Sequence, residues 1–422
     1  MTTALDGRRR IVRALFQHAL CQGLRSGLDP LRTDREFRVF FPGYALSLLG
    51  SAMAPVALAF AVLHGPGGAD RLGWVLTARI LPLVLVLLAG GVAADRLGSR
   101  RVMLAADLLR ALSQGAFALL LLTGHAPFWA ILLLAAVGGA GEAVFTPALT
   151  ALIPRLSPPG RLTEANTLLT LARSTAAVAG PALAGLLTAA AGPGAVLALD
   201  AGSFAASVWS LALLTVRLPA GEPGPSYLAD LRAGWTEFRS RSWFWVTCLH
   251  ICLFNFLLWA PFLVLGPATA GQRLGGAGSW GLIMAAYGAG SVFASLGLLG
   301  RRPAHPVRLA TLASAGWALP PGALALGAPL PWVCAGALVA GVGTAVNGTL
   351  FATAEQRLIP AAAQARVAAY GSLGAFALGP LGLAAAGPAA GLLGTSTVLG
   401  FGALWLLLST GLVLTVPSVR RN

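Results

Sequence analysis

Gly91-Val-Ala-Ala-Asp95-Arg96-Leu-Gly98-Ser-Arg100-Arg101 separates two long apolar runs with one carboxylate, three arginines and a turn glycine. The run before it ends at Asp95 and the next begins at once with Val102. A connector this short between two runs of membrane length can do little but turn the chain and pair charges. The composition around it settles the solvent. With 57% hydrophobic residues, 10% charged residues and a mean hydropathy of +0.78, most of this chain is built to meet lipid.

Outward from the connector, apolar runs recur with a regular beat. Spans are expected near 39–63, 72–95, 102–123, 126–150, 164–190 and 195–216, and again near 243–268, 278–300, 307–327, 330–353, 367–388 and 392–416. Each approaches the ~20 residues needed to cross ~30 Å of hydrocarbon at about 1.5 Å per residue. Each must be helical, because lipid offers no partner to an unpaired backbone group and the runs lack the alternation of barrel strands. The expected fold is an all-α membrane protein of twelve transmembrane helices in two pseudo-symmetric six-helix bundles.

The formal charge of +15 raises nucleic acid as a partner, but all 29 basic residues are arginine. They form no stripe and lie between apolar runs, so no nucleic-acid partner is expected. With both termini in the cytoplasm, inside segments hold 24 arginines. Outside loops hold only Arg71 and Arg273, and Arg79, Arg110 and Arg173 fall within spans. That asymmetry predicts a multi-pass protein of the cell membrane with both termini cytoplasmic.

The expected organisation is a basic cytoplasmic arm (1–38), a six-helix half (39–216), a cytoplasmic linker (217–242), a second six-helix half (243–416) and a short tail (417–422). In the arm, Ile11, Val12, Leu15, Phe16, Ala19 and Leu20 recur at helical spacing opposite Arg9, Arg10, Arg13 and Gln17. Either a helix lying on an anionic leaflet or a solvated arm fits that pattern. The halves read as a duplication. Leu152-Ile153-Pro154 ends the fourth span as Leu358-Ile359-Pro360 ends the tenth, and Gly180 and Gly185 of the fifth match Gly382 and Gly387 of the eleventh. Gly297 and Arg301-Arg302 stand where the opening connector would recur, without its carboxylate.

Nothing suggests an enzyme or a cofactor. There is no phosphate-binding Gly-Lys-Ser/Thr loop, and the longest polar segment between spans is the 26-residue linker. Cys21, Cys248, Cys252 and Cys334 show no metal spacing, so no metal is expected.

Gly91-x-x-x-Asp95-Arg96-x-Gly98-x-Arg100-Arg101 resembles the signature loop of the major facilitator superfamily. Gly141-Glu-Ala-Val-Phe-Thr-Pro147 and Glu164-Ala-Asn-Thr-Leu-Leu-Thr-Leu-Ala-Arg-Ser174 are similar to the branch holding macrolide-efflux and enterobactin-export proteins. The resemblance implies a secondary transporter working by alternating access, with a site between the halves near the midplane. The cargo it implies is a hydrophobic or amphipathic small molecule (drug, antibiotic or siderophore-like), exported in exchange for protons. An importer or uniporter of the same fold, or a non-transporting receptor or lipid-handling protein, is the alternative. Oligomeric state is not legible.

The same resemblance makes the connector a conformational latch. Asp95 would hold the halves together at the cytoplasmic side against the start of the eleventh helix, near Arg366, with Gly98 free to take a positive φ. Gly180-Pro181-x-x-x-Gly185 resembles the antiporter motif of facilitator exporters, though Leu171 and Ala184 stand where that motif has glycine. It also lies on a stripe of small residues that lets another helix approach.

Four intramembrane charges are candidates for coupling: Asp107, Arg110, Glu142 and Arg173. Similar depth makes Glu142 a partner for Arg173 or Arg110, and Asp107 precedes Arg110 by three positions on one helix face. A permanent charge network is the favoured reading for Asp107, whereas for Glu142 a gated proton and a permanent network fit equally. Asp200, nearer the outer end of the sixth span, reads as a simple helix-end acid. Family cavities are lined by the first, fourth, seventh and tenth helices. The substrate candidates are therefore Tyr44 and Ser51, then Phe254, Asn255 and Trp259, and Asn347. Ser51 stands where relatives often have an acid, which argues against a carboxylate-driven cation site on the first helix.

Overall fold

The computed structural model describes residues 29–421 except 64, 66–67, 159–160, 216–234, 237, 299–302, 360–366, 368–369 and 372–373. Within helices it does not describe the side chains of 84, 87–97, 147, 150–151, 163 and 356. Asp95, Arg96 and Gly91 therefore lie outside the described side chains, and Arg366 outside the described residues.

After a five-residue helix at Asp29–Thr33, helical spans follow in the expected order. They are α1 (Arg35–Leu63), α2 (Gly68–Leu97), α3 (Ser99–Leu122), α4 (Phe128–Leu156), α5 (Leu162–Ala191) and α6 (Pro193–Ala212). Then come α7 (Ser242–Arg273), α8 (Ala277–Leu298), α9 (Pro306–Ala325), α10 (Leu330–Leu358), α11 (Gly374–Leu393) and α12 (Thr395–Thr415). Ten of these are long and apolar enough to cross a membrane among the described residues. The other two are α2 and the broken α9, which completes the expected twelve.

Proline explains the irregularities. In α7 the turn Asn255–Trp259 is a π-helix, and Pro261 follows one residue beyond it. A proline there cannot donate to the carbonyl of Leu257 and its ring crowds that carbonyl, so the turn widens. In α9 the residues Ala315–Ala318 tighten to a 3₁₀ turn before Pro320 and Pro321, for the same missing donors. Gly98 adopts φ 85° at the α2–α3 turn, the left-handed conformation expected of it.

The outer surface is what lipid requires. Leu326, Leu392 and Leu412 are exposed, and Trp74, Trp129, Trp209 and Trp332 are exposed near helix ends. Tryptophan is favoured at that level, where an amphipathic ring meets the headgroups.

Glycines bring the helices together. A methyl on Gly180 would strike Ala52 of α1, and one on Gly185 would lie 2.8 Å from the Ala277 carbonyl oxygen of α8. On α11, a methyl on Gly382 would lie 2.7 Å from the Phe256 carbonyl oxygen of α7, and one on Gly387 would lie 2.6 Å from the Cα of Asp70 on α2. The two matched glycine pairs thus make matched contacts, α5 with α1 and α8, α11 with α7 and α2. Contacts between the first six spans and the last six run mainly along α5–α8 and α2–α11, with smaller ones from α7 to α1 and α2 and from α8 to α1. Gly73, Gly185, Gly281, Gly288 and Gly387, with the Thr77 hydroxyl donating to the Pro380 carbonyl at 3.0 Å, place them from the midpoint to the end away from the α2–α3 turn.

Candidate functional site: a charge cluster inside the first bundle

Helix α6 carries Asp200, Ser203, Ser207 and Ser210 at intervals of three and four, so they share one face. All four are buried. In lipid a polar stripe turns inward, because each unpaired group left in hydrocarbon is costly. Gly43 and Gly50 of α1, seven residues apart, lie against Ser210 and Ser203, also seven apart. A methyl on Gly50 would come within 2.6 Å of Asp200 Oδ1. The Ser210 hydroxyl donates to the Val39 carbonyl at 2.6 Å, and the Ser207 hydroxyl donates to Asp107 Oδ2 at 2.5 Å.

The rest of the cluster assembles around that face. Arg110 of α3 donates from Nη2 to Ser51 Oγ at 3.0 Å, and its guanidinium lies 4.0 Å from the Phe204 ring centroid. Its Nη1 stands 3.6 Å from Asp107 Oδ1, a charge contact without hydrogen-bond geometry. Arg79 of α2 donates to Glu142 of α4 at 3.0 Å. Close backbone approach makes these pairings possible: Gly139 of α4 packs on the Arg79 carbonyl, and a methyl on Gly141 would lie 2.7 Å from Arg110 Cγ. Burial runs in one direction. The Glu142 side chain is 37% exposed and that of Arg79 18%, whereas Asp107 and Asp200 are at 0%.

Between them lies a cavity of about 20 Å³ lined by Ser51, Arg79, Arg110, Gln114, Glu142 and Asp200, among others. That is room for about one water, and far below the ~300 Å³ at which drug-sized sites begin. A much larger space, about 670 Å³, lies elsewhere, between α7, α11 and the residues just before α7. Trp235, Phe238, Trp245, Leu249 and Tyr370 make its walls largely apolar, with Arg239 beside them.

The structure separates the candidates named from sequence. Glu142 accepts a hydrogen bond from Arg79, on a helix packed face to face with α4, and Arg173 lies elsewhere; Arg110 faces Glu142 across the small cavity without direct contact. Arg173 lies outside the cluster, exposed, and its Nε donates to the Tyr44 hydroxyl at 2.8 Å. Asp107 and Arg110 do meet. Asp200 is no helix-end acid, since it is fully buried on the packed face of α6. Arg79, also passed over, is the cluster's entry cation. The signal for both was the Asp-Ser-Ser-Ser period on α6 and a lone arginine inside an apolar run.

Of the cavity candidates, Ser51 joins the cluster and Tyr44 stacks on Phe40 at 5.4 Å. Asn255 is buried and donates to the Ala375 carbonyl at 3.0 Å, and Asn347 donates to the Ala310 carbonyl at 3.0 Å. Phe254 and Trp259 enter an aromatic nest around Trp317, with centroids 5.9 Å and 4.6 Å from it. Trp317, whose indole donates to Thr344 at 2.7 Å, is a residue sequence reading missed. Gly180, Pro181 and Gly185 form the α5 seam already described. Arg100 donates to the carbonyls of Leu211 and Ala212 at 2.9 and 2.7 Å, so it caps the end of α6 where a cation is favoured. Arg101 is exposed beside it.

Comparison with known proteins agrees with this architecture. The family model described as Major Facilitator Superfamily matches residues 40–383. The chain belongs to that superfamily. This facilitator is 26% identical over 237 residues to macrolide efflux protein A of Streptococcus pyogenes, covering 55% of this chain and 58% of that protein. It is 33% identical over 189 residues to the multidrug efflux pump Tap of Mycolicibacterium fortuitum, covering 43% of this chain and 45% of that one. The chain thus spans about half the length of the curated relatives it matches. Among solved structures, a POT family transporter in complex with 5-aminolevulinic acid matches with TM-score 0.71 at 13% identity, over 92% of this chain and 97% of that one. A bacterial homologue of the iron transporter ferroportin in its inward-facing state matches with TM-score 0.68 at 17% identity, over 90% and 98%. At such identity these show the fold. The protein is a multi-pass membrane member of the facilitator superfamily.

Proposed function

We propose that this facilitator is a secondary active exporter that expels hydrophobic or amphipathic small molecules in exchange for protons, by alternating access. The observation that carries the coupling is the ionisable cluster shut inside the first bundle. Buried charges at this depth are too costly to persist as decoration, and the cavity among them accepts nothing larger than a water or an ion. Cargo and coupling ion therefore occupy different places. The roomy apolar space at α7 and α11 supports a bulky, weakly polar cargo, and the efflux names of the two relatives support the outward direction. Seams of glycine between the halves, closed from the midplane to one end, support rocking of one bundle against the other. The Asp95 latch stays part of this reading.

The test is an efflux and susceptibility panel, macrolides and cationic dyes included, on cells with and without the protein, repeated with a protonophore. Expected are lowered susceptibility and outward transport that the protonophore abolishes. Glu142→Gln should leave the protein in the membrane and remove gradient-driven efflux. Full efflux by that variant would sink the role of Glu142. Uptake in place of efflux would identify an importer.

A further inference from the structure

Three acids and two arginines face one another in this cluster: Asp107, Glu142 and Asp200 against Arg79 and Arg110. Fully ionised, it holds one negative charge in excess inside a membrane. Two of the acids are engaged. Glu142 accepts from Arg79, and Asp107 accepts from Ser207 and stands against Arg110. Asp200 is different. It is fully buried, neither of its oxygens has a hydrogen-bond partner, and it lines the small cavity together with Glu142 and both arginines.

Apart from Arg110 of α3, no helix packed on α6 brings it a counter-charge among the described residues. α1 presents Gly50 and Ser51 there, and Ser51 is already held by Arg110. α3 presents Asp107 and Arg110. α5 carries only Glu164 and Arg173 as charged residues, and Arg173 is bonded to Tyr44. Arg79 of α2 and Glu142 of α4 face Asp200 across the cavity. A metal cation would need several oxygen ligands, yet two guanidiniums line the same space.

We propose that Asp200 is the seat of the exchanged proton, reached through Glu142, the accessible end of the cluster. A proton delivered from water forms an O–H bond at an Asp200 oxygen and brings the five charged groups to neutrality. When the bundles rock and the cluster meets water of the other face, that bond breaks and the proton leaves. Arg79 and Arg110 keep their charges throughout, which holds Glu142 and Asp107 ionised and leaves Asp200 as the group that changes. This inference rests on the exporter reading for its direction, but the proton site itself can be tested without transport.

Infrared difference spectra of the full chain in nanodiscs, recorded on acidification, read that site. A carboxyl without a hydrogen-bond partner absorbs at the high-frequency end of the C=O range. The expected result is such a band, lost in Asp200→Asn and kept in Glu142→Gln. A band that survives Asp200→Asn, or its absence from the unmodified chain, overturns the assignment. In proteoliposomes with an acid interior and erythromycin as probe, Asp200→Asn should reduce accumulation to that of protein-free vesicles. Exchange of preloaded erythromycin at equal pH should persist. Accumulation equal to that of the unmodified chain, loss of exchange together with accumulation, or drive by a sodium gradient would each count against the proposal. If the unmodified chain accumulates nothing while the infrared band behaves as expected, the proton site stands and the exporter reading falls.

Discussion

Ser207 shows how a single hydroxyl supports a buried acid. Asp107 is fully buried, so the 2.5 Å bond from Ser207 and the nearby Arg110 guanidinium are its polar partners. A hydrogen bond to a charged group contributes about 1.5–3 kcal/mol, and an uncompensated buried group costs a similar amount. Ser207→Ala should therefore lower stability by about 1–3 kcal/mol, read as a drop in Tm of the purified protein in detergent. An unchanged Tm would mean that Arg110 alone satisfies Asp107. Sequence made Asp107 and Arg110 legible, because three positions on a helix is a local spacing. It hid the partner of Glu142 and the burial of Asp200, because both are set by which helices become neighbours.

At the scale of the element, α5 and α11 bridge the bundles, since each touches its own bundle with one glycine and the opposite bundle with another. Gly281 of α8 closes this contact from the other side, packed against Pro181 and Gly185. Gly281→Val would force α5 and α8 apart along the seam. The expected outcome is protein that reaches the membrane in normal amount and has lost most transport, measured as dye efflux against immunoblot. Normal efflux from that variant would show that the seam need not close. Helix existence and most boundaries were readable in advance because length, apolarity and turn chemistry are local. The π turn of α7 and the broken α9 were not singled out, although Pro261 and the Pro320-Pro321 pair were in plain view: proline marks a defect, and neighbours decide its form.

At the scale of the whole molecule, the pairing of Gly180 and Gly185 with Gly382 and Gly387 turned a sequence offset into matched contacts, so the duplication is physical as well as textual. Cysteines introduced singly at Ser418 and at Gly275 of an otherwise cysteine-free chain should react with a membrane-impermeant maleimide from opposite faces, Gly275 from outside intact cells and Ser418 only after lysis. Labelling of Ser418→Cys in intact cells would invert the topology.

The seams between the bundles also bear on speed. Where glycine meets backbone carbonyl, there is no side chain to change rotamer as the surfaces part. The friction opposing the motion then comes from dispersion along a smooth contact, not from unlocking interdigitated knobs. Such a joint slides easily but grips weakly, so something other than the seam must hold each end state. In the proposed reading, the charge state of the inner cluster and the Gly91–Arg101 latch turn do that.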